Sequence, residues 1–297
     1  AQGAPASGAE ASTPALLQGD NAAAIASLSN QLAATGLSND RKAALFNDRG
    51  VAYMRSGQVR LAIDDYNKAA QLFPEYAAIY NNRGNLLLSL GLVREAIKDF
   101  DRAIVLAPGY AAAYNNRAAA LSKNGQLPEA IRDYSKAIAL MPQNPAPLSG
   151  RGRAQLALSR PHAAIRDFTR AVNTDTRFVS GYRNRAEANL QVEHYEEAIE
   201  DLSRAAAFDA NNAEIYMVRG QAYLAMRNVA SALKDFSQAI ELNPKLGPAY
   251  EGRGLAHGLA EAYEEAYADL NTAIDIDPRS ATAFAYRAFV YKQNNQL

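Results

Sequence analysis

The chain has no cysteine, so disulfides, thiolate metal sites and a cysteine nucleophile are excluded. That absence suits any compartment and fits one in which a stray thiol would be oxidised. Net charge is missing as well, because 31 Lys and Arg balance 31 Asp and Glu. Like charges do not run together, so the basic face that nucleic acid or an anionic membrane surface needs is not expected. Long apolar runs are also lacking. The best candidate, Leu86–Val93, falls well short of the roughly 18 residues a membrane helix requires, so no membrane insertion is expected. Histidine is scarce: His162, His194 and His257 are not spaced as metal ligands. No P-loop, dinucleotide fingerprint or nucleophile elbow is present. The paired carboxylates Glu196-Glu197 and Glu264-Glu265 stand where helices would begin, where they complement the helix dipole. Together these absences predict a protein that is not an enzyme and uses no cofactor or metal.

What the chain does have is a period. Arg49, Arg83, Arg117, Arg151, Arg185, Arg219, Arg253 and Arg287 recur at 34-residue steps. Asp65, Asp99, Asp133, Asp167, Asp201, Asp235 and Asp269 follow in phase. Three residues before each Arg comes a large apolar side chain, such as Phe46, Tyr80, Leu148 or Phe284, and directly after it comes Gly or Ala. Alanine recurs on either side of Asp, for example at Ala62 and Ala69, and Tyr, Phe or Leu follows the Asp. Self-similarity at this period is the mark of a solenoid, in which each unit buries its core against its neighbours. By that logic 297 residues can form one elongated body rather than two domains.

Within a unit, apolar or small residues fall at three- and four-residue steps: Tyr80, Gly84 and Leu87, then Ala96, Phe100 and Ala103. This is the period of a buried helical face. A break falls near Gly57, Gly91 and Gly125, where glycine can end a helix in the left-handed conformation. Pro74, Pro108, Pro142, Pro244 and Pro278 close the second helix. Each unit therefore reads as a helix-turn-helix hairpin.

The pattern resembles the tetratricopeptide repeat family. Residues 43–76 give Phe46, Arg49, Gly50, Tyr53, Ala62, Tyr66, Ala69 and Pro74 at that family's eight signature positions, and only Arg49, where the family has Leu, departs. The resemblance covers residues 43–297 and implies an all-α, right-handed α-solenoid. Complete repeats are expected at 43–76, 77–110, 111–144, 145–178, 179–212, 213–246 and 247–280, filling 43–280, with a half repeat at 281–297. Residues 1–15 are rich in Ala, Ser, Gly and Pro and are expected to be disordered. Residues 16–42 are expected to hold one capping helix with Ala24, Ile25, Leu28 and Leu32 on one face. The small-residue start looks like an end left by signal-peptide cleavage. With the Asn-Asn-Arg-Gly wording it resembles exported alphaproteobacterial members of the family. The expected location is periplasmic or secreted, with the cytoplasm as the alternative. The apolar Phe289 and Val290 do not suit a solvent-facing cap, so the last helix is expected to expose an apolar side, open to another copy of the chain.

The Arg and Asp ladders are expected to form a structural ion-pair network, each Arg meeting an Asp of its own or the preceding repeat. Arg49 then has only Asp65, and Arg287 only Asp269. Candidate binding residues lie elsewhere on the first helices. Positions 2, 5, 6, 9 and 13 of a unit oppose the packed positions and, by resemblance, form the concave wall that grips partners. They hold Asn47, Asn81, Asn82, Asn85, Asn115, Asn116 and Lys123, then Arg153, Arg183, Asn184 and Glu187. Asparagine is a poor helix former, so stacked Asn pairs need a reason. An amide donates and accepts at once, which suits a peptide backbone, or else it bonds the neighbouring turn. The run resembles the asparagine ladder of O-linked N-acetylglucosamine transferase. The alternating Lys or Arg of a carboxylate clamp is missing. The expected function is a scaffold binding an extended segment of a partner protein or peptide. The alternatives are a self-assembling element, forming a homo-oligomer through its last half repeat, and a targeting arm of a larger enzyme.

Overall fold

The computed structural model describes residues 16 and 18–294, so the segment 1–15 lies outside the described residues. Among those described there are sixteen α-helices and no strand. A lone helix, α1 (Asn21–Leu32), precedes seven hairpins. The first three are α2 (Asn39–Arg55) with α3 (Val59–Leu72), α4 (Ala77–Ser89) with α5 (Val93–Leu106), and α6 (Ala111–Lys123) with α7 (Leu127–Leu140). The next four are α8 (Pro145–Ala157) with α9 (Pro161–Thr174), α10 (Val179–Gln191) with α11 (Tyr195–Phe208), α12 (Ala213–Ala225) with α13 (Val229–Leu242), and α14 (Gly247–Leu259) with α15 (Tyr263–Ile276). A single helix, α16 (Ala281–Gln293), ends the series.

The expected single body is divided into two compact units, one ending at Pro142 and the other beginning at Gln143. Each unit is an all-α stack of helical hairpins. The first holds α1 to α7 and the second α8 to α16.

The turn inside each hairpin needs one residue in the left-handed region. Gly57, Gly91 and Gly125 fill it in the first unit at φ between 76° and 79°. The second unit fills the same position with Ser159, Glu193, Arg227 and Glu261 at φ between 57° and 62°. A side chain in that region is strained by its Cβ. The turn geometry is thus imposed by the flanking helices, whatever residue occupies it.

The second helix of each hairpin packs through its recurring alanines and ring. Ala62, Tyr66, Ala69, Ala96, Phe100, Ala103, Ala164, Phe168, Ala171, Ala232, Phe236 and Ala239 are all fully buried. The small residue after each Arg makes room for the ring. A Cβ on Gly152 would stand 2.5 Å from Cε1 of Phe168. Close helix approach and a filling ring give dense packing.

The ladders join the helices. In all seven hairpins Arg Nε and Nη2 donate to the two oxygens of the Asp sixteen residues on, at 2.6 to 2.9 Å. This bidentate fork uses the planar guanidinium geometry. The remaining Nη1 reaches back to the preceding second helix: Arg83 to Asn67 at 2.7 Å, Arg117 to Asp101 at 2.7 Å, Arg185 to Thr169 at 3.1 Å and Arg219 to Ser203 at 3.0 Å. Arg49 uses Ser29 of the capping helix α1 in the same way, at 3.0 Å. The ring three residues before the Arg stacks on its guanidinium, as Tyr216 does on Arg219 at 5.4 Å. Hydrogen bonds to the aspartates raise the pKa of Arg49, Arg83, Arg117, Arg185, Arg219 and Arg253 above the ordinary arginine range.

Two expectations are corrected. Arg287 does not meet Asp269, whose oxygens are taken by Arg253; it donates to Asn271 at 2.8 Å. In α16, Val290 is fully buried against Ala266 and Leu270, and Phe289 is half-buried beside it. Val290 thus faces its own unit, and the large apolar side chain that α16 does expose is Phe284.

Candidate functional site

Positions 2, 5, 6, 9 and 13 of the first helices were expected to form a wall, and its chemistry differs between the two units. In the first unit the asparagines bond one another. Asn115 Nδ2 donates to Asn116 Oδ1 at 3.3 Å, and Asn116 Nδ2 to Asn81 Oδ1 at 2.9 Å. Asn81 Nδ2 then donates to Asn82 Oδ1 at 3.4 Å, Asn82 Nδ2 to Asn47 Oδ1 at 2.9 Å, and Asn47 Nδ2 to Asp48 Oδ1 at 3.3 Å. Five amides thus run in one direction across α6, α4 and α2 and end on a carboxylate.

Burial divides their roles. Asn47 and Asn81 are each only 4% exposed. They hold neighbouring helices together, each accepting from an amide of the next first helix, and do not line an open wall. Asn82, Asn115 and Asn116 remain half-buried, and each keeps donor and acceptor capacity beyond the bonds above. Asn85 is half-buried beside them on α4, and Lys123 is exposed at the end of α6.

Asp48, where the amide run ends, is an uncomfortable carboxylate. It is 5% exposed and its Oδ2 has no hydrogen-bond partner. Burial lifts its pKa to about 6, against the bond from Asn47 and the charge of Arg41.

The second unit holds Arg153, Arg183, Asn184 and Glu187 on α8 and α10. Asn184 Nδ2 donates to Ser149 Oγ at 2.9 Å, repeating the helix-to-helix bond of the first unit. Arg183 pairs with Glu214 at 2.7 Å, while Arg153 and Glu187 are exposed.

Further along, the same wall positions open into a cleft of about 720 Å³ across α12, α14 and α16. Its floor is apolar: Leu224 and Ala225 from α12, Leu255 and Leu259 from α14, and Tyr286 and Phe289 from α16. Gln221, Glu251, Thr282 and Gln293 give it a polar rim. Gly252 stands where the other unit has Asn82 and Asn116. A Cβ there would lie 2.3 Å from Cζ of Phe236, so close packing excludes a side chain and leaves the floor open. Ser280, the cap of α16, donates to Glu251 and fixes that rim carboxylate. The expectation placed the binding residues on the first helices of repeats one to five, asparagines together with Lys123, Arg153, Arg183 and Glu187, and did not include this cleft. Leu255, Tyr286 and Phe289 at the wall positions were the signal for it.

Among the described residues no three His, Asp or Glu stand together as metal ligands, and no helix is long and apolar enough to cross a membrane. His257 is half-buried 3.9 Å from Asp269.

Comparison with known proteins agrees with this architecture. Family models described as tetratricopeptide repeat match residues 47–111, 111–144 and 213–246, and one described as TPR repeat matches 193–226, about half of the chain in all. No curated protein matches it. Among solved structures, the chain is similar to the APC/C hetero-tetramer Cut9-Hcn1 at a TM-score of 0.67 and 16% identity, over 95% of this chain and 56% of that one. It thus spans little more than half the length of that chain. It is similar to a tetratricopeptide repeat protein from Parabacteroides merdae at 0.62 and 17% identity, over 84% and 99% of the two chains. It is similar to the MamA protein at 0.53 and 25% identity, over 58% and 93%.

Proposed function

Because the chain belongs to the tetratricopeptide repeat family, whose members generally serve as protein–protein interaction scaffolds, we propose that it is a non-catalytic scaffold holding an extended segment of a partner protein along the wall of its first helices. The cleft over α12, α14 and α16 carries this reading. It has the size and the apolar lining, with a few placed polar groups, that recognition pockets have. It is built mostly from the wall positions and contains no member of the ladder, so a bound segment meets it without disturbing the ladder. Leu255 and Phe289 take apolar side chains of the segment, and Gln221 and Glu251 bond its backbone. In the first unit the spare N–H and lone pair of Asn82 and Asn116 offer one amide per repeat. First helices packed about 10 Å apart match roughly three residues of an extended strand.

Site-specific photo-crosslinking tests this. A photoreactive side chain at Leu255 or at Ala225 should trap partner protein in extracts, while the same group at Glu241, on a second helix, should not. Leu255→Asp should abolish capture without changing helical content. Trapping that favours Glu241, or capture that survives Leu255→Asp, would place the partner elsewhere.

A further inference from the structure

Position 5 of the first helices changes character in the cleft. Three times along the chain this position is met by an amide of a following first helix: Asn47 accepts from Asn82, Asn81 from Asn116 and Ser149 from Asn184, each donor 35 residues on. On α14 the same position holds Glu251, and the residue 35 further on is Tyr286. Tyr286 does not take up the bond. Glu251 Oε1 accepts from Ser280, while among the described residues Oε2 meets no donor and no basic group pairs with the carboxylate. Glu251 is half-buried at the edge of an apolar floor, where a carboxylate without a counter-charge is unfavourable. The rest of the lining gives the cleft a direction. Pro248, Glu251 and Thr282 line the end where α14 and α16 begin, and Arg227, Leu259 and Gln293 the end where first helices finish. One carboxylate thus stands at one end and one guanidinium at the other, with apolar side chains between.

We propose that the partner segment carries a basic side chain, Arg in preference to Lys, seated on Glu251 beside the apolar side chains held by Leu255 and Phe289; this rests on the cleft being the binding site. The carboxylate has the capacity. An ionised carboxylate offers about four acceptor sites, so Oε2 takes the cation while Oε1 keeps room for a backbone N–H beside the Ser280 bond. The rings of Tyr286 and Phe289 line the same cleft, and a guanidinium is flat and weakly hydrated enough to lie against them. The molecule already uses that pairing, as where Arg253 lies on Tyr250 at 5.7 Å. Arg227 turns a second basic side chain away from the far end, so the segment lies in one direction. Arg227 is exposed, and its charge orients the segment more than it tightens binding.

The test selects random dodecapeptides displayed on phage against the full chain. Enriched peptides should carry Arg or Lys within two residues of Leu, Phe or Met. The same library on Glu251→Lys should yield Asp or Glu in place of the basic residue. In fluorescence anisotropy a selected peptide should bind Glu251→Gln about ten-fold more weakly than wild type. Replacing the peptide's basic residue by Gln should weaken binding to wild type as much, and binding to Glu251→Gln little further, since one charge-assisted pair is lost either way. Circular dichroism and thermal unfolding of Glu251→Gln should match wild type, because Ser280 can donate to the amide oxygen as well. Selected peptides without a basic residue, or the same peptides on Glu251→Lys, overturn the proposal; the cleft itself still stands if Leu255→Asp abolishes their binding. No enrichment at all, or binding that survives Leu255→Asp, overturns the cleft and the proposal together. A concentration-dependent dimer of the chain alone that Glu251→Lys dissolves also overturns it, because the occupant would then be a second copy.

Discussion

Replacing Asp48 by Asn should stabilise the protein at neutral pH. The carboxyl is buried, Oδ1 accepts one bond from Asn47 at 3.3 Å, and Oδ2 has no partner. With a folded pKa of about 6, it binds its proton more tightly in the folded chain than in the unfolded one, where an aspartate titrates near 3.9. The unfolded state therefore loses that proton first as pH rises, and stability falls across the window from about 4 to 6. About two pK units at 1.36 kcal/mol each set an upper bound of about 3 kcal/mol on the loss above the window, and local relaxation reduces it to about 1–3 kcal/mol. An amide at this position carries no such penalty, and hairpins two and three already have Asn82 and Asn116 there. Its Oδ1 still accepts from Asn47. An unmet N–H costs less than an unmet charge, so the exchange is favourable. Urea unfolding of both proteins from pH 4 to 7.5 gives the difference, and hydrogen exchange of α2 amides localises it, since stacked repeats need not unfold together. The difference should be near zero at pH 4 and grow to a plateau above pH 6. A variant less stable than wild type at pH 7, or a gap that ignores pH, would refute the reasoning.

The ladder predicts that Asp235→Ala, which strands the Arg219 fork, costs about 2–4 kcal/mol in chemical denaturation, while Arg219→Met with Asp235→Leu recovers much of it. Gly152→Ala should cost about 1–3 kcal/mol, because its methyl would fall 2.5 Å from Phe168; a thermal shift read by circular dichroism checks it. Glu261→Gly should raise stability by up to about 1 kcal/mol, since φ is 62° there and three sister turns use Gly; unchanged or lower stability in urea would contradict this. Asn82→Ala with Asn116→Ala should weaken partner binding several-fold and also cost roughly 0.5–1.5 kcal/mol of stability per lost bond, since both amides brace the buried Asn47 and Asn81.

The hairpins were legible because their spacing is physical. A ring four residues into the first helix and Ala-x-x-Asp-ring-x-x-Ala in the second can pack in one way at a helical period. The ion pairs were legible only as a choice. Sixteen residues forward and eighteen back both bring Asp near Arg, and backbone geometry decides for the Asp of the same hairpin, so that Asp269 goes to Arg253 and Arg287 meets Asn271. The asparagine run showed in the sequence, but its direction did not. That Asn82 reaches Asn47 and Asn116 reaches Asn81, each 35 residues back, depends on how far neighbouring first helices slide past each other. The cleft was hidden for a different reason. Phe289, read alone, is a misplaced apolar residue on a terminal helix, and only beside Leu255 and Leu224 does it become a floor.

The division between ladder and wall explains how one scaffold can carry different binding chemistry. Six of the seven paired Arg spend the guanidinium on an Asp ahead, a polar side chain behind and a ring above or below, which leaves little of it for a ligand; Arg151 has Leu148 in place of that ring. Within each unit, that set of contacts locks neighbouring hairpins together without using positions 2, 5, 6, 9 and 13 of the first helix. Those positions are then free to change, and they do: amides on α4 and α6, charges on α8 and α10, apolar side chains on α14 and α16. The few wall residues that are constrained mark where the two systems touch. Gly252 is one, held small by Phe236, and Asn81 is another, buried between helices. Substitutions at those two should therefore disturb folding and binding together, whereas Leu255 and Phe289 should alter binding first. Recognition in this chain is set by the side chains that the ladder does not need.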